Sequence, residues 1–128
     1  MSKLDAFTEG YIECLLWSST YGEEGTPVDD DFGPEDISPE AMAEIVQDCT
    51  DFQAANADDL NAYASERSVR PGESVDAYAG HDFCLTRNHH GAGFWDRGLG
   101  ELGDRLTKAS HAYGSMDIYP GDDGKLYV

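Results

Sequence analysis

An α+β fold is predicted by three features of the 128-residue chain. Apolar residues recur at helical spacing through the first 66 residues. Beyond residue 78 the pattern turns to short alternating runs, and turn-forming glycines punctuate that half. The expected arrangement is one domain over 1–128. Its acidic helical half, 1–66, packs against a hairpin–helix–hairpin half, 67–128, whose two hairpins make a small antiparallel sheet. A length of 128 residues suits one domain with a modest core, and 11% aromatic content supplies that core despite a net charge of −18.

The elements follow in order. Leu4, Phe7, Tyr11, Ile12 and Leu15 form one apolar face of a first helix over 4–17, flanked by Asp5, Glu9 and Glu13. Residues 18–36, with Gly22, Gly25, Pro27, Gly33, Pro34 and the run Asp29-Asp30-Asp31, read as a long acidic loop. Ser38-Pro39-Glu40 is a helix start, with an N-cap serine, proline at the first helical position and an acid in the first turn. This second helix runs to about residue 55, turning Met42, Ile45, Val46, Cys49 and Phe52 to the core. A further helical stretch covers 58–65, and Arg70-Pro71-Gly72 is a turn.

In the second half, residues 81–87 alternate, with Phe83 and Leu85 on one side and Asp82, Cys84 and Thr86 on the other. Residues 88–93 are glycine-containing and Phe94-Trp95 begins a return, so 81–95 is predicted as a β-hairpin. Leu99, Leu102, Leu106 and Ala109 mark a helix that ends near Tyr113-Gly114. Residues 116–119 and 125–128, joined by Pro120-Gly121-Asp122-Asp123-Gly124, make a second hairpin.

Charge is divided unevenly between the halves. Residues 1–66 hold 17 acids and one base, Lys3, whereas residues 67–128 hold 9 acids and 7 bases. Asp5, Glu9 and Glu13 repeat every four residues, and so do Glu40, Glu44 and Asp48, with Asp51 just beyond. Residues four apart share a helix face with a rise of roughly 6 Å between them. Like charges so placed destabilise a helix by about 0.2–0.5 kcal/mol per pair. The C-terminal helix instead places Glu101 before Arg105 and Asp104 before Lys108, the stabilising order for intrahelical ion pairs.

The block His81-Asp82-Phe83-Cys84-Leu85-Thr86-Arg87-Asn88-His89-His90-Gly91-Ala92-Gly93-Phe94-Trp95-Asp96-Arg97-Gly98 resembles a family of short, acidic, uncharacterised proteins of tailed phages and other bacterial mobile elements. Tyr11-Ile12-Glu13, Leu16-Trp17-Ser18-Ser19 and Asp122-Asp123-Gly124-Lys125 fit the same family, so the likeness spans most of the chain. Cys84 departs from the bulky aromatic residue expected there, and His89 from a glycine-like turn residue. The resemblance implies a phage gene product in the bacterial host cytoplasm and no particular mechanism.

These features bound the function. An acidic chain repels nucleic acid and anionic membranes, so neither is expected as a direct ligand; its natural complement is a basic surface. The three cysteines include no CxxC pair and suit small buried thiols in a reducing compartment. The N-terminus, broken by Asp5, Glu9 and Glu13, reads as neither a signal peptide nor a membrane span.

The expected role is that of an inhibitor of a basic, nucleic-acid-binding host protein, such as a CRISPR or restriction effector, acting by nucleic-acid mimicry. The partner-binding residues would be Asp5, Glu9, Glu13, Asp29, Asp30, Asp31, Glu40, Glu44, Asp48 and Asp51. Trp95 and Arg97 form a second candidate patch, since Trp and Arg dominate binding hot spots. No catalytic residue, cofactor or metal is expected. The run 29–36 lacks the spacing of a calcium loop, and Gly91, Gly93, Gly98 and Gly100 lack the phosphate-cradling register. Two alternatives stand beside this reading. One is a structural or regulatory phage protein whose acidity serves solvation. The other is a small enzyme using His81, Asp82, His89, His90, Asp96 and His111.

Overall fold

The computed structural model describes residues 4–128. Its helices are α1 (Ala6–Ser18), α2 (Val28–Asp31), α3 (Pro39–Ala55), α4 (Ala57–Glu66), α5 (Val75–Arg87) and α6 (Glu101–His111). Two short antiparallel pairs accompany them: β1 (Thr20–Tyr21) with β2 (Thr26–Pro27), and β3 (Tyr119–Pro120) with β4 (Leu126–Tyr127). The fold is α+β, as the periodicity predicts, with helices dominating.

Local chemistry sets the starts of three helices. The Asp5 carboxylate accepts from Thr8 N at 2.8 Å, Ser38 Oγ from Ala41 N at 3.1 Å, and Ser74 Oγ from Ala77 N at 3.2 Å. Each satisfies an amide that the first helical turn leaves without a partner.

The centre of the molecule is the packing of α1 on α5, the most extensive contact between any two elements. Glycine makes it possible. A Cβ at Gly10 would collide with the carbonyl of Ala77, and one at Gly80 with the carbonyl of Phe7, so the two backbones touch. Around this seam Phe83 packs against Phe7 and Tyr11, and Phe52 of α3 stacks on it at 4.1 Å. Phe94 stacks on Phe52 and meets Tyr63 of α4 edge-on. α6 adds the buried side chains of Leu102 and Leu106. The C-terminal hairpin is tied to the start of α3 by Ser38 N donating to Leu126 O at 2.8 Å.

The region 81–95 is not a hairpin. Residues 82–87 are all buried within α5, and Phe94–Asp96 form a 3-10 turn rather than a returning strand. The alternation that suggested a strand arises because Asp82, Thr86 and Arg87 are buried polar groups with partners rather than a solvent-facing row. Thr86 Oγ1, for instance, accepts from Phe94 N at 3.0 Å. The residues 18–36 are also more ordered than a loop: they contain β1, β2, α2 and a 3-10 turn, anchored by the fully buried Val28. The second strand pair is therefore β1–β2, and among the described residues it forms a sheet separate from β3–β4.

Candidate functional site

The acidic residues singled out above divide into those committed to the fold and those left to solvent. Asp5 is committed: its second oxygen accepts from Gln53 Nε2 at 3.1 Å while the first caps α1. Partial burial would raise its pKa, but the bonds from Thr8 and Gln53 prevail and hold it below the usual value. Asp48 is committed more deeply, since its carboxylate meets Arg87 Nη1 at 2.8 Å. That arginine is 3% exposed and also donates to Tyr11 Oη, Tyr113 O and Gly114 O. Asp31 accepts from the Tyr21 hydroxyl, a bond that pushes the phenol's pKa upward.

Glu9, Glu13, Asp29, Asp30, Glu40, Glu44 and Asp51 are exposed, as are Asp5 and Asp31 despite their bonds. Among the described residues Asp51 has only Gln47 Nε2 on it, at 2.9 Å. Glu9, Glu13 and Asp29 meet on the rim of one groove of about 620 Å³, whose floor includes Ile12, Leu16 and Phe32. The four-residue step along α1 continues beyond the acids to Trp17, which is 60% exposed. That position follows from the spacing of Asp5, Glu9 and Glu13, although only the acids were singled out from it.

The bases do little to neutralise this surface. Among the described residues Arg87 pairs with Asp48, Arg97 with Asp82 and Asp96, and Arg105 with Asp59. Of the 17 acids in 1–66, only Asp48 and Asp59 are in ion pairs with described residues. The intrahelical pairs expected in α6 do not form. Arg105 reaches across to Asp59 of α4 with both Nε and Nη2, and no ion pair joins Asp104 to Lys108. A carboxylate on a neighbouring helix offers the planar guanidinium two parallel bonds, which one a turn away does not.

Of the second candidate patch, Trp95 is 50% exposed while Arg97 is half-buried. Arg97 Nη2 lies 2.7 Å from Asp82 Oδ1, its Nε donates to the same carboxylate, and Tyr63 Oη donates to Asp82 Oδ2 at 2.7 Å. Asp82 is 2% exposed, so this knot sits inside the fold, where burial and the adjacent carboxylate drive the Tyr63 pKa up.

Of the groups of the enzyme reading, His81 and Asp82 line one cavity, which the others do not. His89 stacks on His111 at 4.4 Å, His90 borders a different groove beside Asn88, and Asp96 accepts from Gly93 N. His81 instead lies against Cys14 and packs on Trp17 at 6.0 Å. The bond to Cys14 raises the imidazole pKa. The Cys14 thiol is lowered, first by the bond from Cys84 and then by His81, while burial drives Cys84 the other way. All three cysteines are buried and free.

Among the described residues no three His, Cys, Asp or Glu side chains converge as metal ligands, and no helix is long and apolar enough to cross a membrane. Comparison of the chain with protein families, curated proteins and solved structures gives no match.

Proposed function

We propose that this protein is an acidic interaction protein that occupies the nucleic-acid-binding surface of a basic partner by presenting carboxylates in place of phosphates. The observation that carries the reading is how the bases are used: three arginines close on carboxylates of the fold, while the exposed acids Glu9, Glu13, Asp29, Asp30, Glu40, Glu44 and Asp51 of α1, α2 and α3 have no ion pair among the described residues. Such a surface attracts Lys- and Arg-lined channels, which respond to charge density more than to sequence. The resemblance to small phage proteins supports a partner in a bacterial host cytoplasm, with a CRISPR or restriction effector as the candidate. Glu9, Glu13, Asp29, Asp30, Glu40, Glu44 and Asp51 carry the contact. Asp5, Asp31 and Asp48 serve the fold first and contribute to the field around it.

The competing reading, a structural or regulatory phage protein with acids for solvation, draws its support from those last three residues. A tagged pull-down from bacterial lysate at low and moderate salt separates the two. Mimicry requires a Lys/Arg-rich nucleic-acid enzyme that elutes with added salt and is displaced by duplex DNA or RNA. It also requires capture to be lost when Glu9, Glu13, Glu40, Glu44 and Asp51 are changed to Gln. Binding that ignores salt and depends on Trp95 would overturn mimicry.

A further inference from the structure

A second cavity, of about 530 Å³, opens between α1, α5 and the segment following α4. Its volume suits a small molecule. Arg67, His81 and Arg97 line it, and so do Glu13, Glu73, Tyr78 and Asp82, the carboxylate that Arg97 already holds. With only eight Lys and Arg in the chain, two guanidiniums and an imidazole on one cavity are a local concentration of positive groups.

The two arginines differ in what they bind. Arg97 turns Nε and Nη2 onto Asp82 and is balanced there. Arg67 is not balanced. Its guanidinium lies over the Tyr78 ring at 5.0 Å, near the Tyr63 hydroxyl, and Nη1 donates to Ser68 O, but among the described residues Nε is buried with no hydrogen-bond partner. Among the described residues no carboxylate lies within ion-pair distance of it, although Glu13 and Glu73 face the same cavity. Arg87, Arg97 and Arg105 each close on an acid, whereas Arg67, half-buried on the cavity, does not. A buried N–H left without an acceptor is costly, and a guanidinium fork is shaped for a carboxylate.

The signs of the lining groups decide the ligand. A simple anion would meet Glu13, Glu73 and the field of a chain of net charge −18, and a simple cation would meet Arg67 and Arg97. Only a molecule carrying both charges satisfies the two sides together. We propose that this cavity binds a small zwitterion of the α-amino-acid type. Its carboxylate is held by Arg67, its ammonium by Glu13 and Glu73, and its side chain lies toward Tyr78 and the Trp17–His81 pair.

The test is an NMR titration of the ¹⁵N-labelled full chain with glycine and then phenylalanine, following the Arg67 Nε–H and the His81 ring. Acetate and methylamine serve as the two half-ligands. The expected result is a saturable shift with the amino acids, at least about tenfold tighter than with either half-ligand, since a bond to a charged group contributes a factor of about ten or more. Arg67→Met should abolish it. Should that variant fail to fold, Glu73→Gln, at an exposed position beside the cavity, should weaken glycine binding while acetate binds no more weakly than before. No saturable shift with any probe overturns the proposal. Acetate equal to glycine would make this a plain anion site, and methylamine equal to glycine a plain acidic cleft; either also overturns it. Glu13 is shared with the mimicry reading, but Arg67 and Glu73 are not, so variants at those two positions let the two ideas fail separately.

Discussion

Glu40 and Glu44 stand in water on α3 with no ion pair among the described residues, whereas Asp48, one turn further on, closes on a buried arginine. The three share a helix face and an ordinary four-residue spacing, yet the fold treats them oppositely. The difference teaches that charge density on this protein comes in two kinds. One kind is exposed and repulsive, and can be changed at little structural cost. The other, around Arg87 and Asp82, fastens α3 and α4 to α5 and to the segments after it, and its removal leaves a charge stranded inside the protein.

The sharpest way to break that comparison is Arg87→Ala. It strands the partly buried Asp48 and orphans the carbonyls of Tyr113 and Gly114, so a loss of about 3–5 kcal/mol is expected in urea unfolding. A loss below 1 kcal/mol would put the Arg87 knot in the same class as a surface pair. Gly80→Ala comes next, with a loss of at least about 1–3 kcal/mol, because the new methyl meets the Phe7 backbone rather than a side chain that could move.

Asp5→Ala should cost about 1 kcal/mol through loss of the cap on α1. Its pKa is depressed in the folded state, so the wild-type advantage is present above the ordinary Asp value of 3.8 and fades as pH falls through the lower folded value. Comparing the two proteins' stability at neutral pH and near pH 3 checks that sign. The smallest effect belongs to the exposed set. The triple change Glu40→Gln, Glu44→Gln and Asp51→Gln should leave stability unchanged or raised by about 0.2–0.5 kcal/mol, while partner capture falls. Added salt should erase that gain as it screens the wild-type repulsion.

Much of this division was hidden from the sequence for a physical reason. The helix starts at Asp5 and Ser38 are local, since the capping groups lie three residues from the amides they satisfy, and α1, α3, α4, α6 and the last hairpin could be read directly. The exposed acids were legible as a spacing. What could not be read is whom each charge meets, because Arg87–Asp48, Arg105–Asp59 and Tyr63–Asp82 join residues 19 to 46 positions apart. The same blindness misplaced α5. A strand and a fully buried helix both place an apolar residue at every second position when the intervening polar groups have hidden partners, and only the Ser74 cap upstream marked the helix. The cavity around Arg67 was invisible for the same cause: its lining comes from four separate stretches of chain.

The glycine seam between α1 and α5 also has a kinetic side. Gly10 and Gly80 lie 70 positions apart, so the first helix gains its main packing partner only after more than half the chain is available. Until then α1 is a short amphipathic segment of the kind that is marginal alone in water. Contacts this distant in sequence slow folding, and α1 and α5 should acquire their amide protection together, and late, in a pulsed hydrogen-exchange experiment.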